Sequence, residues 1–217
     1  MSPRRPMSWQ PLPLVGLAAT LLATMLLAAQ ASAACQADGA QYSTTFSQPD
    51  DSWALNDNIK IGGGQMTYTE KPGDGDTAFF NGDTFAAGTL CADFTLTAPS
   101  DKEPSAGLTF WGAGLKNYYV FQMDPIAGTY ALDRKKDGNW LKPIDWKASS
   151  AIKNGVGVTN ELSVQFKGSR VSLWINGQQV ADITGFPPSD ASTVGTHGEG
   201  GAKAGAIWSV TNFVVAK

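Results

Sequence analysis

One histidine, two cysteines and four glutamates bound the chemistry open to this chain of 217 residues. His197 stands alone, which excludes a metal centre or proton relay built on two imidazoles. It lies in Gly195-Thr196-His197-Gly198-Glu199-Gly200-Gly201, a glycine-rich stretch that reads as a solvated turn, as does Ile61-Gly62-Gly63-Gly64. Neither stretch has the Lys-Ser/Thr or Gly-x-Gly-x-x-Gly spacing of a phosphate cradle. Glycosidic cleavage by paired carboxyl groups needs one on each side of the scissile bond. Glu70, Glu103, Glu161 and Glu199 do not fall two to a strand face, and Asp133 and Asp137 flank a turn, so the sequence argues against that mechanism. Asn56-Asp57-Asn58 and Asp74-Gly75-Asp76 are oxygen-rich segments of the kind calcium accepts, without an EF-hand spacing. Asx turns and a calcium site are both compatible with them, and no other cofactor is implied.

Aromatic residues carry the remaining signal. Trp111 and Trp174 fall on the side of their strands opposite the apolar alternation, where a ring face can lie against the C–H face of a sugar. Gln122, Asp124 and Arg134 are placed to hydrogen-bond its hydroxyls. Trp53, Trp146 and Trp208 read as core or loop anchors.

The elements that must position these residues are strands. Leu90, Ala92, Phe94 and Leu96 alternate with Cys91, Asp93, Thr95 and Thr97, the period-two pattern of a half-buried strand. Ala106 to Trp111, Asn117 to Met123 and Thr129 to Arg134 continue the series, separated by Asp124-Pro125-Ile126-Ala127-Gly128 and closed by Asp137-Gly138. Near the C-terminus, Gly168-Ser169 predicts a hairpin in which Val164 faces Leu173, Ser163 faces Trp174 and Gln165 faces Ser172. Asn176-Gly177 turns into Gln179 to Ile183, and Ala206 to Val215 is the last strand. Ten or more short strands without intervening helices predict an all-β sandwich of two antiparallel sheets.

The first 33 residues read as a secretory signal peptide. Arg4 and Arg5 precede an apolar run from Leu14 to Ala29, and Ala31-Ser32-Ala33 gives small residues for cleavage after Ala33. The chain carries a net charge of −3; removal of two arginines leaves 14 basic side chains against 19 acidic ones. That balance excludes a nucleic-acid binder, and no second long apolar run predicts a membrane span after cleavage. Export makes a Cys35 to Cys91 disulfide the default, with lipidation of Cys35 as the competing reading. The expected location is periplasmic or secreted.

The order of Ala106-Gly107-Leu108-Thr109-Phe110-Trp111, Tyr118 to Asp124, Gly128 to Arg134, Gly138-Asn139-Trp140 and Leu173-Trp174-Ile175-Asn176-Gly177 resembles the concanavalin A-like jelly-roll superfamily. Within it the chain is similar to the bacterial 3-keto-disaccharide hydrolase family, over about Phe46 to Lys217. The resemblance implies a jelly-roll domain over 34–217 with a carbohydrate groove on one concave sheet. Gln122, Asp124, Arg134 and Trp140 match the family's positions, whereas Trp111 stands where the family commonly has arginine. The leading expectation is therefore an exported carbohydrate-binding domain using Trp111, Gln122, Asp124, Arg134 and Trp174. The second is hydrolysis of a 3-keto disaccharide with Asp124 as the catalytic candidate, and the third is a structural or interaction module of the cell envelope.

Overall fold

The computed structural model describes Met1 and residues 39–217; the expected leader, its cleavage point after Ala33 and Cys35 lie outside the described residues. Among the described residues there are fifteen strands and no helix. In chain order they are β1 (Ala40–Thr44), β2 (Trp53–Ala54), β3 (Ile59–Gly62), β4 (Gln65–Glu70), β5 (Gly75–Phe85), β6 (Ala87–Leu96), β7 (Ser105–Gly112) and β8 (Tyr118–Asp124). They continue with β9 (Thr129–Lys136), β10 (Asn139–Ala148), β11 (Thr159–Lys167), β12 (Arg170–Ile175), β13 (Gln178–Thr184), β14 (Ser192–Glu199) and β15 (Ala206–Ala216). One sheet of eight strands runs β13-β12-β11-β6-β15-β4-β3, with β1 also paired to β15; the other, of seven, runs β10-β9-β8-β7-β14-β5-β2. Every pairing is antiparallel.

The hairpin chemistry acts as its residue types require. Asp137-Gly138 and Asn176-Gly177 both hold positive φ at both positions, 52° and 83° in the first and 50° and 77° in the second, which matches the twist of the flanking strands. Gly168 carries the positive φ of the β11–β12 turn, and the register is Val164 with Leu173, Ser163 with Trp174 and Gln165 with Ser172.

The inner faces meet in one apolar core. Phe94, Leu162, Val164, Phe166 and Trp208 from the eight-stranded sheet join Phe110, Phe121, Tyr130 and Val194 from the seven-stranded one. Burial of each large side chain contributes roughly 1.5–3 kcal/mol against the entropy of ordering the chain. Trp53 and Trp208 belong to this core, while Trp146 on β10 is exposed.

Two expectations need correction. Trp111 does not face outward: its φ of 51° breaks the alternation at the end of β7, and the indole turns in against Phe110, Tyr119 and Phe166 with 3% exposure. The Gly195–Gly201 stretch is not a turn up to Glu199, because Ser192–Glu199 is β14, a central strand between β5 and β7; only Gly200 and Gly201 lie beyond it. Its glycines serve close packing: a Cβ on Gly195 would lie 2.0 Å from the Ala78 carbonyl, and one on Gly198 would lie 2.8 Å from the Tyr68 ring.

Candidate functional site

The outer face of the seven-stranded sheet collects the chemistry. Along β8, Tyr119, Phe121 and Met123 enter the core, so Tyr118, Val120, Gln122 and Asp124 point the other way. Cross-strand pairing then lays out rows on that face. Thr77, His197, Gly107, Gln122 and Ala131 form one row, and Phe79, Gly195, Thr109, Val120 and Asp133 form the next. Gly107 leaves a gap in side chains between His197 and Gln122. A Cβ there would come 1.9 Å from the Phe121 carbonyl, so the close approach of β8 keeps the position open.

The polar groups of this face are joined. Ser105 Oγ lies 2.9 Å from Gln122 Oε1 and 3.0 Å from Glu199 Oε2, and its single proton serves one acceptor at a time. Gln122 Nε2 donates to Asp133 Oδ2 at 2.8 Å. His197 Nδ1 lies 3.0 Å from Thr77 Oγ1, which reaches the Tyr118 hydroxyl at 3.5 Å. With Thr77 donating to Tyr118, its oxygen accepts from Nδ1–H and leaves Nε2 as the basic nitrogen, 3.9 Å from Glu199 Oε2. The sheet thus brings Glu199 and Asp133 onto one face, a meeting of carboxylates that no single strand reveals.

Environment separates the two acids. Burial pushes the Glu199 carboxyl up, but His197, in its imidazolium form, and the Ser105 hydroxyl outweigh it and hold it below its ordinary value. Burial dominates at Asp133 and raises it, against the lowering pull of Lys142 and of the Gln122 hydrogen bond. Burial also raises the Tyr118 phenol.

Beside this network runs an aromatic strip. Tyr118 packs edge-on against Phe79 at 5.4 Å and against Trp140 at 5.7 Å, and Trp140 is 50% exposed. Lys135 Nζ stands 5.0 Å from the Trp140 ring centre and 5.7 Å from that of Tyr118.

The five residues singled out from sequence scatter. Gln122 is at the centre of the network. Asp124, the catalytic candidate from sequence, is 2% exposed and accepts with Oδ1 from the backbone N–H groups of Ile126 (2.7 Å) and Ala127 (3.0 Å), so it holds the turn after β8 and lies outside the network around Gln122. Arg134 points inward over the Tyr119 and Phe186 rings, and with Trp111 it lines a cavity of about 270 Å³ at the end of the sheet. Trp174 lies on the outer face of the opposite sheet, between Ser163 and Gln179, and shares no site with Gln122. His197 is a buried strand residue with 6% exposure, not a solvated turn residue. Tyr118 and Trp140 were visible in the sequence as aromatics, but only the pairing of Tyr118 with Lys135 and of Lys135 with Trp140 makes them neighbours.

The two oxygen-rich segments meet one another. Asn56 Nδ2 donates to Asp76 Oδ1 at 2.7 Å and Asn58 Nδ2 to Asp76 Oδ2 at 2.8 Å, so amide N–H groups rather than oxygens face the carboxylate. Among the described residues no group of three or more His, Cys, Asp or Glu is placed to hold a metal ion. No helix among them is long and apolar enough to cross a membrane.

A family model described as 3-keto-alpha-glucoside-1,2-lyase-like domain matches residues 37–208. No curated protein matches the chain. Among solved structures, carbohydrate-binding module CBM66 from Bacillus subtilis is similar at 15% identity and a TM-score of 0.57, covering 81% of this chain and 95% of that one. Bacillus licheniformis β-glucanase is similar at 10% identity and a TM-score of 0.58, covering 84% of this chain and all of that one (100%). The catalytic domain of Thermotoga maritima laminarinase is similar at 10% identity and a TM-score of 0.56, with 82% and 98% covered. At such identities the likeness is one of fold, and the fold is the concanavalin A-like jelly roll.

Proposed function

The chain belongs to the 3-keto-alpha-glucoside-1,2-lyase-like domain family, and on that footing we propose that it is an exported domain binding carbohydrate on the outer face of its seven-stranded sheet. The observation that carries this reading is the polar network from Thr77 and His197 through Glu199, Ser105 and Gln122 to Asp133, lying beside the Tyr118–Trp140 ring pair. Ring faces take the C–H side of a sugar, and the network supplies donors and acceptors for its hydroxyls. Saturation-transfer NMR with glucosides and 3-keto glucosides tests it. Transfer to intact sugar supports binding, and silence toward every sugar sinks the reading.

The His197–Glu199 pair favours a second, enzymatic reading on the same face. In a 3-keto glucoside the C3 carbonyl acidifies the C2 hydrogen. Nε2 of His197 takes that proton, the electron pair forms C1=C2, and the C1–O bond breaks. The imidazolium, stabilised by Glu199, returns the proton to the departing oxygen. Replacing His197→Ala should then cut turnover by about 10²–10⁴-fold while saturation transfer persists; unchanged turnover would refute this chemistry.

Export, and a Cys35 to Cys91 bridge formed on the way, belong to the same reading. Cys91 is buried in β6 and is not a free thiol.

A further inference from the structure

At the end of the seven-stranded sheet, where the aromatic strip stops, the segment after β13 folds Phe186, Pro187 and Pro188 over the cavity that Arg134 and Trp111 line. Its volume, about 270 Å³, sits at the small end of ligand pockets, enough for one sugar ring and not for a chain. No carboxylate lines it. The Arg134 guanidinium lies over two rings, 5.2 Å from the centre of Tyr119 and 5.0 Å from that of Phe186, and Lys135, which points to the other side of β9, lines the cavity from the Tyr118 side. The ion pairs among the described residues are Lys142–Asp145, Arg170–Asp182 and His197–Glu199, so neither cation meets a carboxylate there. Acidic side chains outnumber basic ones in this chain, 19 to 16, and two unpaired cations at one cavity stand out against that balance. Trp111, another wall of the cavity, has an Nε1 that is buried without an acceptor, in a residue 3% exposed. Leaving such a group unmade is costly.

We infer that this cavity is a subsite for a hexuronic acid residue, whose carboxylate meets Arg134 while Lys135 adds positive charge from the Tyr118 side and the sugar ring packs against the aromatic and proline walls. This rests on the carbohydrate reading above and extends it by naming the charge of one sugar in the ligand. A planar guanidinium matches a carboxylate with two parallel N–H···O bonds, a geometry that lysine alone cannot supply. The neighbouring face carries Glu199 and Asp133, so the site runs from an acidic stretch to a cationic end, and an acidic sugar is directed toward that end.

The test is a titration of the full chain, followed by saturation transfer and by its tryptophan indole N–H resonances. The probes are methyl glucuronide, methyl glucoside and methyl glucoside 6-sulfate. The glucuronide should bind about tenfold tighter than the glucoside, and more weakly as salt rises. Arg134→Gln should erase that preference and Arg134→Lys restore only part of it. Lys135→Gln, which leaves Arg134 in place, should reduce it if the arginine variants fail to fold. Equal binding of glucuronide and glucoside overturns the subsite and leaves the carbohydrate reading standing. Tighter binding of the sulfate overturns the carboxylate assignment. Glucuronide bound with an Arg134-dependent preference but unaffected by Trp140→Ala keeps the subsite and removes the outer face from the ligand's path. Silence toward all three probes overturns both.

Discussion

Glu70 points inward from β4 with 4% exposure, and neither of its carboxylate oxygens meets a hydrogen-bond donor. Burial, then the nearby Asp76, Asp74 and Glu199, pushes its carboxyl up to about 8. A protonated Glu70 can donate to Asp76; an ionised one cannot. The unfolded chain releases this proton near the ordinary glutamate value and the folded chain holds it to about 8, so the native state binds more protons across that window. Stability from this group is complete below the unfolded value and declines as pH rises toward 8. Glu70→Gln keeps the shape and a permanent donor, and its melting temperature should exceed the parent's by a margin that widens from pH 5 to pH 8. About 1 kcal/mol moves a chain of this size by about 2–4 °C, so several degrees are expected at the upper end. A margin constant with pH would show that Glu70 is ionised throughout. None of this is legible in sequence, where Glu70 is one charge among nineteen acids; nor is the inward turn of Trp111, because a single left-handed φ reverses what alternation implies.

Elements were legible wherever pattern and turn agreed. The β11–β12 hairpin has five alternating residues on each side of a glycine turn, and the register follows from that alone. In β14 the glycines that let the strand fit between β5 and β7 also erase its alternation, and the sole histidine then reads as a loop residue. The strand's demand for glycine can be measured. Gly195→Ala would press a methyl group to 2.0 Å from the Ala78 carbonyl and 2.9 Å from Thr109 Oγ1, and should cost at least about 1–3 kcal/mol in denaturant unfolding. Gly62→Ala, at the end of β3 with nothing within 4 Å of a new Cβ and no positive φ, serves as the neutral control. If the two variants unfold alike, β14 is not the tightly packed centre on which His197 depends.

A two-sheet sandwich presents two outer faces, and period-two alternation says that a residue points outward without saying from which sheet. Sequence therefore grouped Trp174 with Gln122, while the strand order puts β12 in the eight-stranded sheet and β8 in the seven-stranded one. The opposite face also has a cleft, of about 510 Å³, where Asn212 Nδ2 donates to Asp93 Oδ2 at 2.7 Å among Ser43, Thr45 and Glu161. It lacks the exposed ring and the linked histidine that characterise the seven-stranded face. Trp140→Ala should consequently weaken sugar binding about tenfold or more, in the range of losing one stacked aromatic contact, with little change in melting temperature because the ring is half exposed. Trp174→Ala should leave sugar binding within about twofold of the parent. The reverse pattern would move the ligand to the eight-stranded sheet, and the His197 network would then have to be explained as internal structure, since a sugar on that side cannot reach it through the packed core.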